Sequence, residues 1–147
     1  MVSYSEATAE MYGFLQTNFN AIMADMFGYE GEIRWPTQQY TNSPDSNKPY
    51  IEPERYSSTD RIASFTDTNA KMFNCTGILY IALYCPLTVE NSRSKSEELA
   101  SRLKRAFMGA RTAGGVFFRE TRIGDASGNR LTSIHNIYID YEYSELR

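Results

Sequence analysis

The stretch that decides the fold runs Thr76-Gly77-Ile78-Leu79-Tyr80-Ile81-Ala82-Leu83-Tyr84-Cys85. It carries no charge, and its residues alternate: Leu79, Ile81 and Leu83 share one side, while Ile78, Tyr80, Ala82 and Tyr84 share the other. A strand that is apolar on both sides belongs inside a sheet rather than at its edge. The segment therefore predicts a central strand to which the other elements add.

Pro86-Leu87 ends that strand, and a polar bend from Thr88 to Ser92 leads into a segment of different period. From about Ser94 to Met108, Leu99, Leu103, Ala106 and Phe107 fall on one helical face, and Gly109 closes the helix. Ser94-x-x-Glu97 has the form of a capping box. Arg102, Lys104 and Arg105 lie near the C-terminus, where cations complement the helix dipole.

Upstream, Met11, Leu15, Phe19, Ile22 and Met26 recur at intervals of three and four, which predicts a first helix from Ser5 to about Phe27. Ser3-x-x-Glu6 offers its cap and Gly28 its stop. Gly13, unfavourable inside a helix, suggests a close neighbour on that side. Glu30 to Trp35 reads as a short strand ended by Pro36, and Thr37 to Lys48 as a loop. In Pro49-Tyr50-Ile51-Glu52-Pro53 the second proline cannot donate to a ladder, so an edge strand or strand end is expected, with Arg61 to Phe65 extending the same hairpin. Asp67 to Lys71 reads as a turn.

Downstream, Val116 to Ile123 and Arg130 to Tyr143 predict an antiparallel pair joined through Gly124 to Asn129. In the last strand Leu131, His135, Ile137, Ile139, Tyr141 and Tyr143 fall on a core face, and Asn136, Tyr138, Asp140 and Glu142 on a wet one. Together the elements predict an α/β (α+β) single small domain spanning 1–147, with a mixed, mostly antiparallel sheet and two main helices on one face.

Composition narrows the function classes. A chain of 147 residues fits one domain that needs no metal or disulfide staple. With 15 Lys and Arg against 18 Asp and Glu, the net charge is -3, which argues against a dedicated nucleic-acid binder. Eleven Tyr beside eight Phe and one Trp suit protein contact surfaces as well as sheet faces. Cys75 and Cys85, at opposite ends of one strand, would lie roughly 33 Å apart and are expected to be reduced. The start lacks a signal-peptide pattern and the longest apolar run is too short to span a bilayer, so a soluble, non-exported protein is expected.

Patterns that resemble chemistry have plainer readings in their context. Ser92-x-x-Lys95 matches a penicillin-binding nucleophile, yet the companion motifs are missing and the pair stands at a helix start. His135, the one histidine, falls on an apolar strand face and reads as a packed core residue. Asp140 and Glu142 read as a solvated charge stripe, and Arg102, Lys104 and Arg105 as dipole complement. No catalytic residue, cofactor or metal site is expected. The loop from Trp35 to Tyr56, with Tyr40, Pro44, Tyr50 and Tyr56, reads as a binding element.

The order of features carries a resemblance. A first helix is followed by Ile33-Arg34-Trp35-Pro36 and Tyr40 before Pro49-Tyr50-Ile51. Gly77-Ile78-Leu79-Tyr80-Ile81-Ala82-Leu83-Tyr84 with Pro86-Leu87 comes next, then Leu99, Leu103 and Phe107 in a helix. Gly115-Val116-Phe117-Phe118 and Ile137-Tyr138-Ile139-Asp140-Tyr141 close the chain. This order resembles the tail terminator family of long-tailed bacteriophages. Arg55 to Asn74 is more polar than that pattern.

The resemblance implies a hexameric ring on the end of the tail tube, in the neck region of the virion, that stops tube polymerisation and meets the neck proteins. Its partners would be copies of itself, the tail tube protein and a head-completion or neck protein, with DNA as passing cargo and no membrane. Tyr40, Pro44, Tyr50, Tyr56, Arg102 and Arg105 are the interface candidates, and Asp140 and Glu142 the lumen candidates. A neck or minor tail connector of similar fold is the alternative. A small nucleic-acid-acting enzyme using Arg102, Lys104 and Arg105 with the Asp140 and Glu142 pair ranks last.

Overall fold

The computed structural model describes residues 2–45, 47–65, 71–124, 127–128 and 131–146. The elements run α1 (Tyr4–Phe27), β1 (Glu32–Ile33), β2 (Tyr50–Phe65), β3 (Lys71–Pro86), α2 (Ser92–Phe107), β4 (Phe117–Ile123), β5 (Ser127–Gly128) and β6 (Thr132–Leu146). They form one six-stranded sheet in the order β1-β2-β3-β6-β4, with β5 pairing β6. Only β1 runs parallel to its neighbour β2, and the other pairings are antiparallel. This is the mixed α+β domain the sequence predicts, and the quoted stretch lies in its central strand.

Both helices cover one face of this sheet. Ile51 of β2, Leu79, Ile81 and Leu83 of β3 and Ile137, Ile139, Tyr141 and Tyr143 of β6 share a core with α1 and α2. The buried rings of Phe107 and Phe118 and the half-buried ring of Phe14 meet in a mutual cluster with centroids 4.8–5.2 Å apart. Aromatic pairs at these separations add to the gain from area burial alone.

The first helix starts as expected: the Ser3 hydroxyl accepts from the Glu6 amide, and the Glu6 carboxylate accepts from the Ser3 amide at 2.7 Å. Gly28 closes it with φ at 80°. Its buried stripe, however, is Ala7, Met11, Leu15, Phe19 and Met23, with Ile22 and Met26 half-buried. Steps of four advance about 40° around a helix, so the stripe winds along α1. Gly13 has no close neighbour, which leaves its helical cost unexplained by packing.

The second helix corrects its expected start. It begins at Ser92 behind Asn91, which holds a left-handed conformation and makes no side-chain cap. Ser94 therefore sits inside the first turn, where its hydroxyl is no longer at the capping position, and neither serine motif forms a cap. Ala106 is half-buried, and Ser96 and Ala100 join Leu99, Leu103 and Phe107 at the core.

The strands are longer than their apolar runs. β2 passes straight through Pro53, because β1 covers only Tyr50 and Ile51 and leaves the rest of that edge open. The missing proline donor therefore deprives no ladder. The polar stretch Arg55 to Asn74 resolves into the far halves of β2 and β3, paired from Arg55↔Leu79 to Phe65↔Lys71 with two register shifts. Polar residues can continue a strand there because the pairing partner, rather than a core, holds them.

The strand expected over Glu30 to Trp35 shrinks to two residues, and β6 runs on to Leu146. Leu131 departs from its expected place: it precedes β6 and is 75% exposed. Most of the turn expected over Asp67 to Lys71, and part of the loop from Gly124 to Asn129, lies outside the described residues. Both cysteines are buried, and among the described residues neither forms a disulfide. Among the described residues no helix is long and apolar enough to cross a membrane.

Candidate interaction surface

Among the described residues no helix lies over the second face of the sheet. Alternation along the strands puts Tyr50, Glu52, Glu54 and Tyr56 of β2, Ile78, Tyr80, Ala82 and Tyr84 of β3, and Asn136, Tyr138, Asp140 and Glu142 of β6 on this side. Its tyrosines touch one another across strands. Tyr50 stacks on Tyr84 at 4.7 Å with the rings nearly parallel, and Tyr80 meets Tyr138 at 5.4 Å and Tyr56 at 6.5 Å.

Hydrogen bonds fix the tips of these rings. The Tyr80 hydroxyl donates to Asn136 Oδ1 at 2.7 Å, and the Tyr56 hydroxyl donates to Glu54 at 2.8 Å. Burial pushes the Tyr84 phenol up to about 12, with Glu52 adding to the effect, and burial also raises Tyr50 and Tyr80. All stay neutral donors at physiological pH. The surface is thus an ordered aromatic pavement.

At the β4 side of the pavement Asp140 and Glu142 each meet an arginine, and Glu120 lies beside them. Arg122 pairs with Asp140 at 3.3 Å and lies over the Tyr138 ring at 5.4 Å, while Arg119 reaches Glu142 at 3.4 Å. A register shift between Phe118 and Thr121 accommodates Arg119 and Glu120. The expected acidic stripe is therefore a charge-paired strip, because β4 supplies two arginines opposite it.

At the β2 side the loop after β1 curls round the sheet edge. The Tyr40 hydroxyl accepts from the Trp35 amide at 2.8 Å and donates within its reach to the Ile33 carbonyl or Gln38. Arg34 lies over the Tyr40 ring at 4.3 Å, pairs with Glu32 at 2.7 Å and donates to the Asn42 carbonyl. Trp35 packs on Tyr12 of α1 at 4.9 Å. Arg34, Trp35, Tyr40, Glu52, Tyr80 and Tyr84 are among the residues lining the resulting open groove of about 440 Å³.

The predicted interface residues therefore part company. Tyr50 and Tyr56 join the pavement, and Tyr40 pins the loop that walls the groove, whereas Pro44 lies half-buried elsewhere in that loop. Arg102 ties the helices together by pairing with Asp25 of α1 and Glu98 of α2. Arg105 is exposed and donates to Ser101 at 3.3 Å. Tyr80, Tyr84 and Tyr138 went unassigned as contact residues, because alternation gives their side of the sheet but not whether a helix covers it.

The sequence also gave no warning of Arg55. Its guanidinium donates to the Tyr141 and Tyr143 hydroxyls at 2.8 and 2.7 Å, to the Tyr4 carbonyl and to Thr8, clamping the start of α1 to the covered face. His135 is buried as expected, 5% exposed, with an unpartnered Nδ1. Among the described residues no cluster of His, Cys, Asp or Glu is arranged to hold a metal.

Architecture and surface together define a small α+β domain with one helix-covered and one aromatic, uncovered sheet face. A solved structure of a protein designated by a sequence number alone is similar to it, with a TM-score of 0.62 at 13% identity over 92% of this chain and 94% of that one. At that identity the likeness shows the fold. No family model and no curated protein matches the chain.

Proposed function

We propose that this chain is a non-enzymatic structural protein of a phage virion. It closes the tail tube as a homo-oligomeric ring, ends tube polymerisation and forms the joint to the head-completion or neck proteins. The observation that carries the reading is the uncovered tyrosine pavement. Monomeric proteins rarely leave so contiguous an aromatic face in water, whereas a ring subunit buries one against its neighbours or its template.

The family-like order of apolar and turn residues over nearly the whole chain supports the same reading, and a hexamer is the ring it implies. Contacts in such a ring are head-to-tail, so two different surfaces of each copy are used. The pavement and the loop from Trp35 to Tyr56 supply one of them. DNA is passing cargo: on the strip of Asp140 and Glu142 the carboxylates balance Arg122 and Arg119, so phosphate meets little net attraction.

Tails assembled with and without the protein, measured by electron microscopy, test the reading. Overlong tubes are expected in its absence. Tubes of normal length would overturn the capping role and favour a connector that joins rings without stopping polymerisation. Light scattering on the protein mixed with tube protein is expected to give a complex of ring mass, and a persistent monomer that never associates would count against any ring.

A further inference from the structure

The open face already holds two guanidinium groups, each by the same means. Arg122 takes the Tyr138 ring and the Asp140 carboxylate, and Arg34 takes the Tyr40 ring and the Glu32 carboxylate. A ring face and a carboxylate each attract a cation, and the planar guanidinium satisfies both at once. The groove beside β2 presents that combination again, with the Tyr80 and Tyr84 rings and the Glu52 and Glu54 carboxylates in its lining.

Among the described lining residues Arg34 is the cation, and it is bonded to Glu32 and to the Asn42 carbonyl. Glu54 accepts from the Tyr56 hydroxyl, and each carboxylate keeps further lone pairs for another donor. The Tyr50 stack fixes the Tyr84 ring, so the arrangement is preorganised. We infer that this groove is a docking site for a basic segment of a partner protein, taking an arginine or lysine side chain against Tyr80 and Tyr84 and the carboxylates of Glu52 and Glu54. Phosphate is disfavoured there, since the same carboxylates repel it.

This inference goes beyond the ring reading and is tested without any tail component. Trp35, the one tryptophan of the chain, lines the groove, so its emission reports occupancy. The probe is a capped Gly-Arg-Gly-Arg-Gly peptide, and the control is its citrulline counterpart, which has nearly the same shape and no charge. The arginine peptide is expected to give a saturable emission change that weakens with salt, with backbone amide shifts concentrated at Trp35, Glu52 and Tyr84.

The citrulline peptide, and the arginine peptide on the Glu52→Gln, Glu54→Gln double variant, are each expected to bind at least about tenfold more weakly. Both substitutions replace exposed side chains with isosteres, so the fold is kept. Failure to saturate, equal binding of the citrulline peptide, or full affinity in the double variant would each overturn the inference. So would an equal response to single-stranded DNA, which would assign the groove to phosphate instead.

Discussion

The two faces of this sheet use one residue type for opposite ends. On the covered face the hydroxyls of Tyr141 and Tyr143 are taken by Arg55; on the open face Tyr84 lies against Tyr50 and Tyr80 against Tyr138, with no helix among the described residues above them. Burial pushes both Tyr143 and Tyr84 up to about 12. The open face is therefore already partly dry, through the tyrosines' own packing. What separates the faces is commitment: covered rings hold the fold together, and open rings are held ready for something else.

That contrast is broken most severely by removing a ring from each side. Phe118→Ala, which takes one member from the Phe14, Phe107 and Phe118 cluster, is expected to cost about 4 kcal/mol of unfolding free energy. Tyr84→Ala on the open face removes a half-buried ring whose loss leaves a surface hollow rather than a cavity, and is expected to cost about 1 kcal/mol. Urea denaturation measures both. Equal losses would mean that the open face belongs to the core and would remove the basis for calling it a contact surface.

Gly77 tests the boundary between the faces. A Cβ at this position would run into the Tyr56 carbonyl and the Tyr141 hydroxyl, neither of which can withdraw without breaking the bond between them. Gly77→Ala is expected to destabilise by about 2–3 kcal/mol. Adding Tyr141→Phe should not relieve the loss, because the Tyr56 carbonyl and the ring carbon still obstruct the Cβ and Arg55 loses an acceptor. A cost for Gly77→Ala below about 0.5 kcal/mol would show that the contact yields freely.

Much of the fold was legible because it rests on periodicity. Leu79, Ile81 and Leu83 predicted the central strand, Ser3 and Glu6 the first helix start, and His135 its place in the core. Features set by long-range neighbours were not legible. Asn91 starts α2 through a left-handed backbone that no residue nearby announces, and the length of β2 depends on the strand it pairs with. The surface is the clearest case: Tyr80 lies on a strand apolar on both sides, and alternation does not say which side the helices cover. Asp140 and Glu142 were found as a pair, but the arginines opposite them lie 18 and 23 residues away in sequence.

Arg55 marks how firmly the covered face is committed. Its removal as Arg55→Met keeps an unbranched stem but takes away the guanidinium that lies over the Tyr4 ring, and with it the donors to the Tyr141 and Tyr143 hydroxyls. Leaving partly buried hydroxyls short of partners is expected to cost about 2 kcal/mol, with faster hydrogen exchange confined to the first turns of α1. Uniform exchange along the helix would show that Arg55 stabilises the sheet rather than clamping the helix to it.

The smallest effect is expected at His135, the polar residue of the covered face whose Nδ1 has no partner, where Ser96 and Thr121 each donate to a carbonyl of α2. Burial lowers its pKa from 6.5, and Glu97 of α2 opposes the shift without cancelling it. The folded chain thus keeps the ring neutral where the unfolded chain binds a proton. By linkage, stability is full above pH 6.5 and falls as the pH drops through and below that value, since the unfolded state then holds more protons. Urea midpoints measured from pH 7.5 down to about 5.5, before most carboxylates titrate, should decline in the wild type. They should be flatter in His135→Gln, which keeps a polar side chain but cannot titrate. An unchanged slope in the variant would assign the pH dependence to other groups, and would leave the covered face as indifferent to protons as the core around it.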